Sequence, residues 1–249
     1  MTRSDALVAS ALPGGAQAPL EPDSPLWERA GERRLALQPA PVGLAVEVSP
    51  YLSRSYGHGR IREVRVRLLR DAERLAIRLV WADATRDDRL ADLDAFADAA
   101  AVMFPLSEGA TALTMGAAQA PVNLWLWKAD RPEPFDLVAR GFSSSRRRPA
   151  APGGLEARAR HADGIWRLVF RRPLAAAAEE RVELAGGPSV GPPDRPTSGL
   201  PEGRPTSGPS DRPTSGLAVA VWDGDNAERA GQKSISGEFL PLYLEPVRG

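Results

Sequence analysis

Cysteine is absent from the 249 residues. Its absence excludes disulfides, cysteine-ligated zinc, iron–sulfur clusters and covalent haem attachment through a Cys-x-x-Cys-His motif. No apolar run approaches the roughly 18 residues that cross a bilayer as a helix. Net charge is also missing. With 32 basic and 32 acidic residues, the chain has no global field to gather nucleic acid and no single-sign tail for a membrane surface. Histidine is reduced to His58, between two glycines, and His161, beside a turn. Two distant loop histidines make a poor metal site. No Gly-x-Ser-x-Gly, Walker loop or His-Glu-x-x-His occurs, so no nucleophile or base is marked.

Two further scarcities are more pointed. All but two of the 32 basic residues are arginine; the exceptions are Lys128 and Lys233. A chain that writes Arg for every ordinary positive charge retains Lys either by chance or where an amine lone pair is needed. Guanidinium cannot offer that lone pair. Methionine occurs only as Met1, Met103 and Met115. Met103, in the apolar run Ala101 to Pro105, reads as core filler. Met115 precedes a glycine and a loop of small residues, which leaves it as packing or as a soft thioether ligand. Trp125 and Trp127 flank Leu126, so a strand puts both indoles on one face, as ordinary core or as the wall of a pocket for a flat ligand.

The rest of the pattern is β. Val64, Val66 and Leu68 alternate with Arg65 and Arg67, Leu75, Ile77 and Leu79 alternate with Arg78 and Val80, and the polar stretch between the two runs predicts a hairpin. Trp166, Leu168 and Phe170 form another alternating run after the turn Ala162-Asp163-Gly164. Leu217 to Trp222 reads as a strand buried on both faces, and Leu240 to Leu244 as a closing strand. Ala91 to Ala101 is the best helical candidate, or else a loop and a short strand. Short strands between Gly/Pro turns predict a mainly β protein, an antiparallel β-sandwich with short helices and long loops. Residues 1–22 are expected to lie outside it, as a leader or export segment with Ala16-Gln17-Ala18 as cleavage site. Residues 23–249 then form one domain. Within it, Arg-Pro-Thr-Ser-Gly occurs three times, at 195–199, 204–208 and 212–216. Residues 187–216 carry almost no large apolar group and read as a disordered insertion.

Three segments, in order, resemble a known family. They are Ile77 to Thr85 with Phe96 to Pro105; Met115-Gly116 with Pro121 to Asp130; and Ala220 to Gly224 with Glu228-Arg229 and Gln232-Lys233-Ser234-Ile235-Ser236. Together they are similar to the haem b (gamma) subunit of the ethylbenzene dehydrogenase, dimethylsulfide dehydrogenase, selenate and chlorate reductase type. The resemblance implies a sandwich like the cytochrome domain of cellobiose dehydrogenase, with haem b iron held by a Met and a Lys. Met115 of the Met-Gly motif and Lys233 of the Lys-Ser-x-Ser motif match those ligands, with Lys128 as the rival. Asn123, Trp125 and Trp127 would then contact the cofactor. It further implies a non-catalytic electron-transfer subunit in the periplasm. Its partners would be a molybdopterin catalytic subunit, an iron–sulfur subunit and a soluble c-type cytochrome or similar carrier, with no nucleic acid and no membrane span. The competing expectation is a non-haem module of the same shape that binds carbohydrate or another ligand.

Overall fold

The computed structural model describes residues 6–41, 43, 57–90, 95–149, 154–176, 178–185 and 212–247. Fourteen strands make up nearly all of its regular structure. They are β1 (Leu7–Ala11), β2 (Arg33–Ala36), β3 (Gln38–Pro39), β4 (Glu63–Arg70), β5 (Arg74–Ala82), β6 (Ala99–Pro105) and β7 (Val122–Lys128), followed by β8 (Phe135–Ala139), β9 (Arg146–Arg147), β10 (Glu156–Ala162), β11 (Ile165–Pro173), β12 (Ser215–Trp222), β13 (Ser234–Ile235) and β14 (Leu240–Leu244). A short 3-10 turn, Pro25–Arg29, precedes β2.

Eleven of the strands follow one hydrogen-bonded path, β10-β11-β5-β4-β1-β14-β12-β6-β7-β8-β9; off it, β2 pairs with β4, and β13 with β12 and β3. β12 folds this path into two layers. Its Ser215–Leu217 pair with β14, whereas Ala218–Trp222 pair with β6. The core lies between the layers. Val64, Val66, Ile77, Leu79, Trp166 and Phe170 of the first meet Val102, Phe104, Trp125, Trp127 and Val221 of the second. The period-two runs explain this, because each strand turns alternate side chains inward. The predicted hairpin is β4–β5, with Arg70 opposite Leu75. The turn Asp163-Gly164 joins β10 to β11, and both of its residues have positive φ (55° and 67°). That is the primed-turn geometry favoured by Asp-Gly in hairpins.

Four expectations need correction. Residues 7–11, expected in a leader, form β1 in the middle of the first layer, parallel to both β14 and β4. Leu7, Ala9, Leu12 and Ala18 are buried. Alanine hid the alternation there, since it carries little hydrophobic contrast. β1 also makes the sheet mixed where an antiparallel one was expected. The Ala-rich stretch, by contrast, takes the second of its two expected forms in its described part: residues 95–98 are loop and Ala99–Ala101 begin β6. Its small side chains are needed where strands pack on both faces. The repeat ends earlier than expected, because Thr214, Ser215 and Gly216 are buried and Ser215 opens β12. A Cβ on Gly216 would lie 2.9 Å from Phe239 Cβ. Residues 187–211 of the expected insertion lie outside the described residues. Finally, β14 does not close an edge; it sits between β1 and β12.

Candidate functional site

The outer face of the second layer carries an apolar pocket. Its floor comes from the outward residues of three adjacent strands: Ala101 and Met103 on β6, Ala218 and Ala220 on β12, and Leu124 on β7. Ala101 stands directly opposite Ala220, and Met103 opposite Ala218. Alanines at these register positions leave a shallow slot where larger residues would fill the face. The pocket holds about 590 Å³ of empty space, counting its solvent-open mouth.

Two side chains close over this floor. Met115 arrives on a tight loop in which Met115 and Gly116 both have positive φ (59° and 82°). Left-handed backbone costs an ordinary residue roughly 1–2 kcal/mol. Here it is held by Gly116 N–H donating to Thr111 O at 2.9 Å and Gly141 N–H donating to Met115 O at 3.1 Å. Gly116 must be glycine for a second reason: a Cβ there would stand 2.7 Å from Ala120 O. The Met-Gly motif is therefore a device for projecting one thioether.

Lys233 arrives from another part of the chain, just before β13. Its carbonyl accepts from Ala40 N–H at 2.8 Å, and β13 is pinned between β12 and β3. The second serine of Lys-Ser-x-Ser belongs to this anchorage. Ser234 is fully buried, and Ser236 Oγ accepts from Val219 N–H at 3.1 Å. The lysine is only 8% exposed. Its amine lies 3.6 Å from Met115 Sδ and 4.9 Å from the Trp222 ring centre. No carboxylate pairs with it among the described residues. Burial lowers its pKa from 10.5 to about 8, so an unusually large share of the amine is neutral near physiological pH. The other lysine differs in every respect. Lys128 ends β7, its side chain is 36% exposed, and it lies 3.8 Å from an Asp130 oxygen.

Asn123, Trp125 and Trp127 do not line this pocket, which corrects their expected role in contacting a cofactor there. They occupy the inward face of β7, and only Leu124 of that stretch reaches the pocket. Trp125 packs edge-on to Phe170 at 6.4 Å, and Trp127 packs on Trp166 at 5.0 Å. Asn123 is a buried clamp. Its amide donates to Asp136 and to Leu137 O, and its carbonyl oxygen accepts from the Trp125 indole and Val182 N–H. Period two explains the outcome: a face that carries indoles into the core cannot also present them outside. Met103 and Trp222 are among the pocket residues that the sequence reading missed. The signal for Met103 was its register with Ala218 across β6 and β12, which no single strand displays. Both histidines are held by backbone carbonyls, His58 Nε2 by Ala40 O at 2.8 Å and His161 Nε2 by Asp83 O at 2.9 Å.

Known proteins are similar to this chain in sequence. The family profile described as Ethylbenzene dehydrogenase matches residues 24–156. A Haloferax mediterranei protein assigned as a respiratory nitrate reductase heme subunit is 31% identical over 88% of this chain, which spans 66% of that protein's length. The chlorate reductase subunit gamma of Ideonella dechloratans is 30% identical, over 89% of this chain and 78% of its own. The dimethylsulfide dehydrogenase subunit gamma of Rhodovulum sulfidophilum is 30% identical, over 92% and 76%. Among solved structures, a family 9 carbohydrate-binding module from Caldicellulosiruptor kristjanssonii is 8% identical, with a TM-score of 0.45 over 98% of this chain and 96% of its own. On its sequence, the chain belongs to the ethylbenzene dehydrogenase family and is similar to gamma subunits of this type.

Proposed function

We propose that this chain is an electron-transfer subunit that binds one haem b, with Met115 Sδ and Lys233 Nζ as the two axial ligands. The observation that carries the reading is their approach to 3.6 Å across a floor of alanines. Both donors face one point of the pocket. The donor set fits as well. Thioether suits haem iron, and an amine buried without a carboxylate is predisposed to give up its proton. Apart from Lys233 and Ser236 the lining is mostly apolar, which suits the face of a macrocycle and offers sugar hydroxyls few partners.

A haem iron held by these two side chains would supply one-electron transfer. This chain's residues would bind and orient it. The Thr111–Gly116 loop would set the thioether, the segment leading into β13 would set the amine, and Ala101, Ala218 and Ala220 would give the ring an apolar floor. The same reading gives the chain a molybdopterin catalytic subunit and an iron–sulfur subunit as partners, with a soluble carrier beyond them, and places it in the periplasm. β1 belongs to the fold, so a periplasmic protein of this kind keeps residues 7–18. An absorbance scan of the protein after mixing with haemin tests the reading. A sharp Soret band with low-spin visible bands at one haem per chain is expected. Haemin that remains as free haemin contradicts it.

A further inference from the structure

A second polar cluster lies away from the pocket, where the two layers meet. Asp83 follows β5, Asp98 precedes β6 and Asp223 follows β12, so both layers contribute. All three are buried, and one carboxylate oxygen from each lies within 4.8 Å of the others. Gly224 permits this approach. A Cβ there would fall 2.2 Å from Phe96 O and 2.6 Å from Asp87 Cβ, and its N–H donates to Asp98 Oδ1 at 2.9 Å.

Several of these oxygens have donors. Asp98 Oδ2 accepts from the Trp166 indole at 2.9 Å and from Asp87 N–H at 2.8 Å. Asp223 Oδ1 accepts from Asn226 N–H, and its Oδ2 lies 3.3 Å from Arg60 Nε. Asp83 is different. Its Oδ1 accepts from Thr85, but its Oδ2 is buried with no partner, in a residue only 6% exposed. Asp87, whose charge acts on Asp83, also has a buried oxygen without a partner. An orphaned buried carboxylate oxygen forgoes its solvation for nothing. Against these four carboxylates the ion pairs supply Arg60, whose side chain is 49% exposed.

We propose that Asp83, Asp98 and Asp223 form the binding site of one calcium ion, with Asp83 Oδ2 as its principal free ligand. Hard carboxylate oxygens converging at this spacing, with no nitrogen or sulfur donor among them, match calcium's ligand preference. An entry path exists, because Asp83 and Asp223 line an open cavity that also includes Thr85, Gly164 and Arg60. Burial, reinforced by the neighbouring carboxylates, raises all three carboxyls, Asp98 to about 7, so protons compete with the cation in mildly acid solution. The ion would staple β5 of one layer to β6 and β12 of the other.

The test uses the full chain, stripped with chelator and free of haem. Calcium chloride is expected to bind one ion per chain by calorimetry and to raise the melting temperature by several degrees. Asp83→Asn should abolish that response and melt higher than wild type in chelator, because it relieves carboxylate repulsion. Terbium bound to the wild-type protein should luminesce through Trp166 and be displaced by calcium, a readout that does not depend on the variant folding. No calcium binding at millimolar concentration, or an undiminished calcium response in Asp83→Asn, overturns the proposal.

Discussion

Lys233 Nζ and Met115 Sδ, 118 residues apart in sequence, stand 3.6 Å apart over the outer face of the second layer. Neither side chain gains much from this contact. A buried amine beside a weak sulfur acceptor has surrendered water for a poor partner. Such an arrangement costs stability in the haem-free protein.

That cost gives a pH dependence with a definite sign. The Lys233 pKa falls from 10.5 to about 8 on folding. Between those values the unfolded chain binds the extra proton, so stability of the haem-free protein rises as pH climbs from about 8 towards 10.5. Below about 8 the amine is charged in both states and the penalty is fully present. Lys233→Met should therefore stabilise the haem-free protein at pH 7 by about 1–3 kcal/mol and flatten its profile through this window. Urea melts across the range measure both. A Lys233→Met variant less stable than wild type at pH 7 would contradict the buried, unpaired amine.

The Met115 loop predicts a different kind of failure. Gly116→Ala places a Cβ against Ala120 O in a left-handed conformation. The expected cost is about 1–3 kcal/mol, with haem binding weakened by more than the stability loss explains because the thioether is displaced. Comparing the urea midpoint with a haem titration separates the two effects. Equal haem affinity in the variant would mean that the loop does not set the ligand.

β1 makes truncation informative. Removal of residues 1–18 takes away a strand hydrogen-bonded on both sides and opens the edges of β4 and β14. The shortened protein should aggregate or melt without cooperativity, as judged by circular dichroism and gel filtration. A soluble, cooperatively folding product would show that β1 is an accessory strand.

Much of this molecule was legible in the sequence wherever alternation was strong. The hairpin β4–β5 and the strand β11 follow from large apolar residues at period two, and the doubly buried β12 from a continuous apolar run. β1 and the start of β6 were not legible, because alanine serves helices, strands and leaders alike and its burial depends on neighbours distant in the chain. The pair Met115 and Lys233 was visible through the rarity of both residue types together with the family likeness. The Asp83, Asp98 and Asp223 cluster was not, because it assembles from the ends of three strands that no local spacing connects. Trp125 and Trp127 were placed on one face correctly, but which face depended on the layer opposite.

The most direct test of the central claim is the visible and electron paramagnetic resonance spectrum of haem-loaded Lys233→Arg beside that of Lys128→Arg. Guanidinium keeps the charge but has no lone pair for iron, so Lys233→Arg should lose the low-spin signature as completely as Lys233→Ala. Lys128→Arg conserves an exposed charge next to Asp130 and should leave the spectrum unchanged. A low-spin spectrum that survives in Lys233→Arg would contradict the account, and its collapse in Lys128→Arg instead would transfer the ligand role to Lys128.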